Sequence, residues 1–217
     1  MTMTELRRVH RLYTLVAGVY DLRVRLFMRW RGAALGALRP RPGDTVLDLA
    51  CGTGLNFRHI IERIGPEGRI VGVDCTRAML RQARRKVVHH RWDGVTLVEG
   101  DATSLPLASE SCDAVLCSYA MAIIPDYRRA IAEAARVLKP GGRLVLLEPK
   151  RGSALWARIA TPMVALAGVG VVHLDRKAWE ELPGLLEDVS RRDYLGGLVY
   201  IASGTKGKEP GDGPHDP

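Results

Sequence analysis

The chain has 217 residues, of which 47% are hydrophobic and 26% charged. That suits one domain with a packed core and excludes an intrinsically disordered polymer. Cys51, Cys75, Cys112 and Cys117 form no CxxC pair and no zinc-ligand spacing, so free thiols, a reducing cytoplasm and no metal site are expected. The net charge of +8 is concentrated at the start of the chain, where residues 1–41 hold nine arginines against Glu5 and Asp21. Such asymmetry fits attraction to an anionic membrane or nucleic acid, or an arginine-rich solvated helix.

In chain order, residues 5–38 read as a helical arm, with Leu6, Val9, Tyr13, Val16 and Tyr20 near helical spacing. Arg7, Arg8 and Arg11 interrupt its apolar run, so it does not read as a secretory signal. Pro40, Pro42 and Gly43 end the arm, and residues 1–42 form one unit. Strands are expected at Thr45–Ala50, Arg69–Val73, Val95–Glu99, Ala114–Ser118 and Arg143–Leu147, with helices at Leu55–Ile64, Arg77–Val88 and Arg128–Leu138 between them. The last helix is closed by Lys139-Pro-Gly-Gly142. This alternation predicts a doubly wound, mostly parallel α/β sheet over residues 43–203. Ala154–Val172 is nearly all apolar, but Arg158 and Pro162 argue against a membrane span. Residues 154–190 therefore read as an apolar lid insertion. Leu195–Ser203 reads as a closing strand paired with an earlier hairpin, and residues 204–217 as a disordered tail.

The segment Val46-Leu-Asp-Leu-Ala-Cys-Gly-Thr-Gly-Leu-Asn56 runs an apolar strand into Gly52 and Gly54 and then a helix. Glycines there let the backbone turn sharply and approach a ligand at a helix N-terminus. Asp74, twenty residues after Gly54, closes the second strand, where its carboxylate can accept ribose hydroxyls. A dinucleotide would use the same pattern, but Phe57 replaces the third glycine, and Asp48 would repel a pyrophosphate. Asp48 suits an ammonium or sulfonium, so the charges favour S-adenosylmethionine (SAM) over NAD. Glu99-Gly-Asp-Ala102 closes the third strand, with Asp101 placed for an adenine amine and Ala102 for a backbone contact.

These ordered motifs resemble the class I SAM-dependent methyltransferases over roughly residues 40–150. The resemblance implies a Rossmann-like, seven-stranded sheet with an N-terminal helical arm. It places Gly52 and Gly54 at the methionine moiety, Asp74 at the ribose and Met79 on the adenine. Asp101 and Ala102 fall at the adenine edge and Ser118 near the methionine end. Cys75 joins this cofactor-binding set by position alone, its thiol assigned no chemistry.

Val19-Tyr-Asp21 and Tyr194-Leu-Gly-Gly-Leu-Val-Tyr200 further resemble the quinone-biosynthesis methyltransferases and bacterial phospholipid N-methyltransferases. A small lipid-like acceptor is expected, either a phospholipid amine or a prenylated quinol, with peripheral contact at the inner face of an anionic membrane. A soluble natural-product acceptor and a non-catalytic SAM-binding partner protein are the alternatives. Tyr20, Tyr119 and His173 are the candidate catalytic or orienting residues, together with His10 and Tyr13. Ser118-Tyr-Ala-Met-Ala122 lacks the Pro-Pro-aromatic element that base-amine methyltransferases turn on a flipped base, which speaks against a nucleic-acid partner.

Overall fold

The computed structural model describes residues 29–157 and 173–208. Helix α1 (Arg29–Leu38) comes first, burying Trp30, Arg31, Ala34, Leu35 and Leu38 on one face. Then follow β1 (Thr45–Leu49), α2 (Phe57–Ile64), β2 (Arg69–Asp74), α3 (Arg77–His90), β3 (Val95–Glu99), β4 (Cys112–Ser118), α4 (Tyr127–Val137) and β5 (Leu138–Pro149). A 3-10 segment at Ala178–Gly184 leads to β6 (Glu187–Tyr194), a short 3-10 turn at Leu195–Gly197, and β7 (Val199–Thr205).

The seven strands lie in the order β3-β2-β1-β4-β5-β7-β6. β1 to β5 pair in parallel, and β7 runs antiparallel to both β5 and β6. Alternation along each strand sends residues to two layers. Val46, Ile70, Leu116 and Val145 pack against α1 and α2. Leu47, Leu49, Val115, Leu144 and Leu146 pack against α4 and the 3-10 segment. The chain winds outward from β1 in one direction through β2 and β3, then restarts at β4. Such a reversal opens a crevice at the carboxyl ends of β1 and β4, the usual ligand position in doubly wound sheets.

Several elements depart from the sequence reading. Lys139–Gly142 does not interrupt the chain: β5 already includes it, with Leu138 opposite Cys112 and the parallel register resuming at Arg143 after a bulge. Gly141, at φ 76°, absorbs the kink that the Pro-Gly-Gly composition suggested was a stop. Leu195–Gly197 is a turn and not part of a strand. Its partner strand β6 begins at Glu187, inside the stretch read as a lid insertion. β7 continues to Thr205, where Gly204 and Thr205 pair with Leu144 and Arg143, so these two residues belong to the sheet and not to the expected tail. Residues 1–28 and 158–172 lie outside the described residues. With them go Tyr20, His10, Tyr13, most of the arm and most of the apolar stretch. Among the described residues, no helix is long and apolar enough to cross a membrane.

Candidate functional site

One pocket sits in the crevice. Ala50 and Gly52 line it from the turn after β1, Val73, Asp74, Cys75, Thr76 and Met79 from the β2–α3 junction, and Gly100–Thr103 from the turn after β3. Ser118, Tyr119, Ala120, Ile123, Ile124 and Pro125 close it from the end of β4 and the following loop, with Asp126 and Arg129 at the start of α4. Of the residues chosen from sequence, the fold therefore brings Gly52, Asp74, Cys75, Met79, Asp101, Ala102, Ser118 and Tyr119 to one cavity.

The turn after β1 is built by left-handed backbone at Ala50 (φ 54°), Gly52 (56°) and Gly54 (75°). Gly52 has open space where a Cβ would stand, as a ligand-facing backbone requires. Gly54 lies behind the pocket wall, where a Cβ would come within 2.5 Å of the Phe57 ring. Its role is to let α2 pack. Asp74 ties β2 to this turn: its Oδ2 accepts the Gly52 N–H at 2.9 Å, and its Oδ1 accepts the Thr76 N–H at 2.8 Å. Both oxygens belong to a residue that lines the cavity. Asp101 is similarly braced, its Oδ1 accepting the Thr103 N–H at 2.8 Å.

Beneath Gly52 and Ser118 lies a buried polar cluster. Asp48 is 1% exposed, and its Oδ1 accepts the Asn56 side-chain amide at 2.8 Å. That amide also reaches Ser118 Oγ at 2.9 Å. Arg31, reaching in from α1, donates from Nη1 to Asn56 Oδ1 at 2.6 Å and to Ser118 Oγ at 3.2 Å. Its guanidinium stands 5.3 Å from the centre of the Tyr119 ring. Asp48 Oδ2 and Arg31 Nε have no hydrogen-bond partner among the described residues. Burial pushes the Asp48 carboxyl up to about 7, against the pull of the Asn56 amide and the Arg31 cation, with Asp74 adding to the rise.

Arg31 and Asn56 escaped the sequence reading. A signal was present, because Arg31 falls on the buried stripe with Ala34, Leu35 and Leu38 at helical spacing, a place where a lone cation is out of pattern. His173 lies outside the cavity. Its side chain is exposed, and only its backbone N–H reaches the acceptor-side loop, at the Ala122 carbonyl (2.9 Å). The fold therefore does not bring the expected catalytic imidazole to the cavity that holds the other chosen residues. Tyr119 lines the pocket in a left-handed conformation, φ 59°, an uncommon state for a bulky residue and one that clusters at functional sites. Burial and the neighbouring Asp74 push the Cys75 thiol up to about 11, and burial raises Cys51 and Cys117 well above the ordinary range.

The donor set fits SAM. Paired acceptors on Asp74 stand beside the glycine turn, Met79 offers a flat apolar contact, and Asp101 and Ala102 present a polar edge. Behind the lining residue Ser118, Asp48 Oδ2 and Arg31 Nε are buried with no hydrogen-bond partner among the described residues, one of acidic and one of basic character, as the ammonium and carboxylate of an amino-acid end would need. A pyrophosphate would meet the negative charges of Asp48 and Asp74 instead.

Comparison with known proteins agrees. A methyltransferase-domain family model matches residues 46–142. The demethylmenaquinone methyltransferase of Alkalihalophilus pseudofirmus is 35% identical over 235 residues, covering 96% of this chain and 100% of that protein. The enzyme of the same name from Listeria monocytogenes serotype 4a is 34% identical over 153 residues, covering 68% of this chain; the match spans 65% of that relative's length. A SAM-dependent methyltransferase of Aquifex aeolicus superposes with a TM-score of 0.62 at 18% identity, over 81% of this chain and 89% of that one, and shares the fold. A sheet of this order, a donor set at its switch point that fits SAM and a relative at 35% identity aligned over its whole length lead to one conclusion: the chain belongs to the class I SAM-dependent methyltransferases.

Proposed function

We propose that this chain methylates a prenylated quinol, taking the methyl group from SAM. The observation that carries the reading is the alignment over the full length of a protein named demethylmenaquinone methyltransferase. The cavity supports it, because Ala120, Ile123, Ile124 and Pro125 give the wall after β4 an apolar stretch between Tyr119 and the polar Asp126 and Arg129. Such a wall suits an aromatic ring with a greasy tail and offers little to a charged acceptor.

Asp74, with the Gly52 backbone, would hold the ribose, Met79 the adenine face, and Asp101 with Ala102 the adenine edge. Asp48 and Arg31 would receive the two charges of the amino-acid end across Ser118. Bound there, SAM supplies a methyl group already activated on a sulfonium. The protein's part is positioning, which can contribute on the order of 7–11 kcal/mol to such a transfer. The apolar wall would hold the acceptor in line and exclude water, and Tyr119, which lines the pocket, would orient a quinol hydroxyl. The acceptor's electron pair forms the new bond as the carbon–sulfur bond breaks, S-adenosylhomocysteine leaves, and the acceptor gives up one proton to solvent.

A lipid-resident acceptor also supports peripheral contact with an anionic membrane, for which the arginine-rich residues 1–41 supply the charge. Flotation with anionic vesicles at physiological salt tests this contact; protein that stays at the bottom of the gradient removes it. For the reaction itself, purified protein is incubated with SAM and a reduced prenylated quinol, with phosphatidylethanolamine in parallel, and S-adenosylhomocysteine and methylated product are followed by mass spectrometry. Methylated quinol is the expected product. Turnover on the amine lipid alone would overturn the quinol assignment, and no turnover on any acceptor would favour a SAM-binding partner protein.

A further inference from the structure

The acceptor-side wall is a single helical turn. After Tyr119, whose N–H bonds the Leu147 carbonyl at 2.7 Å, the N–H groups of Ile123 and Ile124 both reach the Ala120 carbonyl at 2.8 Å. Ala120, Ile123 and Ile124 face the pocket. One turn of helix has little stability of its own, because nucleation fixes several residues for few bonds. Its placement must come from its surroundings.

Two charged side chains, neither lining the pocket, provide it. Glu148, at the end of β5 and 1% exposed, accepts the N–H groups of Ala120 (2.8 Å) and Met121 (2.9 Å) on Oε1, and that of Ala122 (3.3 Å) on Oε2. From the other side, Arg176 Nη1 donates to the carbonyls of Met121 (3.0 Å) and Ile124. The guanidinium packs over the Tyr127 ring at 5.2 Å. The anion thus meets the free N–H groups at the start of the turn and the cation its carbonyls, the arrangement that a helix dipole favours. A fully buried carboxylate is costly to keep charged. Fixing one surface turn would not require it; fixing a binding wall to a few tenths of an ångström would.

We propose that Glu148 and Arg176 are positioning residues for the acceptor, clamping the Ala120–Ile124 turn so that acceptor binding depends on them and cofactor binding does not. The proposal rests on the methyl-transfer reading of the pocket. It also carries a pH signature. Burial holds the Glu148 carboxyl up at about 7, despite the three N–H donors and the Arg176 cation. The other groups facing it are Cys117 of β4, with Sγ at 4.0 Å, and Tyr200 of β7, both pushed well above their ordinary range. Tyr127 of α4 and Arg191 of β6 stand behind Arg176 and Tyr200. Cys117 and Tyr200 therefore stay neutral between pH 6 and 8 while Glu148 changes charge. Protonation at Oε2 sets a hydroxyl against the Ala122 N–H and loosens the turn.

The test uses the full chain with Glu148→Gln and Arg176→Met, and Arg176→Lys as the conservative variant. For Glu148→Gln the acceptor KM should rise about tenfold or more, the loss of one good hydrogen bond, while S-adenosylhomocysteine affinity by calorimetry stays within about twofold. In the wild type, the acceptor KM should rise as pH falls below about 7, and in Glu148→Gln it should be flat. Arg176→Lys should recover part of what Arg176→Met loses. Independently of any acceptor, amide hydrogen exchange at Ala120–Ala122 should speed up in Glu148→Gln and not at β1 or β2. Faster exchange there without quinol turnover by the wild type would keep the clamp and remove the quinol reading. Unchanged exchange and KM, equal losses of cofactor and acceptor binding, or a wild-type KM flat with pH would each overturn the clamp.

Discussion

Asp48→Asn isolates the charge chemistry beneath the cofactor site. Asp48 is buried, one oxygen is held by Asn56 and the other has no partner among the described residues, and burial holds its carboxyl at about 7 against an ordinary 3.8. Because the folded value is the higher one, the unfolded chain ionises first as pH rises. Stability from this group is complete below pH 3.8, declines as pH climbs toward 7, and is level above that. At about 1.4 kcal/mol per pH unit, the interval corresponds to a ceiling on the order of 4 kcal/mol. Asparagine keeps the shape and the acceptor oxygen but cannot ionise. The unfolding free energy of Asp48→Asn minus that of the wild type should therefore rise steadily between about pH 4 and 7, whatever the other carboxylates do to both proteins. Urea denaturation at half-unit pH steps reads this difference. The same group should couple to binding. The ammonium of S-adenosylhomocysteine favours an ionised Asp48, so wild-type affinity should increase with pH up to about 7 and binding should release a proton, visible by calorimetry in buffers of different ionisation heat. A stability difference flat with pH, or one that shrinks from pH 4 to 7, would refute the assignment of an uncompensated buried carboxyl at this position.

Asp74→Ala removes the acceptor of the Gly52 and Thr76 N–H groups as well as the expected ribose contacts; at roughly 1.5–3 kcal/mol per charge-assisted bond, calorimetry should show SAM affinity down at least tenfold in a protein that still folds. Gly54→Ala places a Cβ 2.5 Å from the buried Phe57 ring at φ 75°, so the urea midpoint should fall by the equivalent of about 1–3 kcal/mol. Arg31→Met deletes the donors to Asn56 and Ser118; affinity for S-adenosylhomocysteine should drop about tenfold or more, while that for 5′-methylthioadenosine, which lacks the amino-acid end, should change little.

The parallel core was legible because its signals are local. Buried strands such as Val46–Leu49 and Ala114–Ser118 are short apolar runs, and helices such as Arg77–His90 show apolar residues at helical spacing between charged ones. β6 was not legible for the opposite reason. Glu-Asp-Val-Ser-Arg-Arg-Asp-Tyr is an edge strand, exposed over most of its length and charged on both faces. Those are the features that keep an edge from pairing with other chains, and they erase the alternation by which a strand is recognised. What makes it a strand is β7 beside it, apolar from Val199 to Ala202. The turn at Leu195–Gly197 was hidden by its neighbours, since Leu, Val and Tyr around two glycines read as continuous strand until both glycines take positive φ.

At the site the same division recurs, and it has a chemical consequence. Every pocket-lining position chosen from sequence lies within a few residues of a strand's carboxyl end, because the doubly wound topology converts that one-dimensional feature into proximity. The residues that were missed act across distances no motif records: Arg31 meets Ser118 from 87 residues away, and Glu148 meets Ala120 from 28. They are also charges in buried places, where hydropathy patterns anticipate apolar side chains. The motifs therefore identify the cofactor half of the reaction, whose ligand is common to the whole family. On the reading proposed above, the long-range buried charges would set how tightly the amino-acid end is held and how rigidly the acceptor wall is placed. A change of acceptor within this fold should then fall first on the Ala120–Ile124 turn and on the side chains that brace it, Glu148 and Arg176, while Gly52, Asp74 and Asp101 stay as they are.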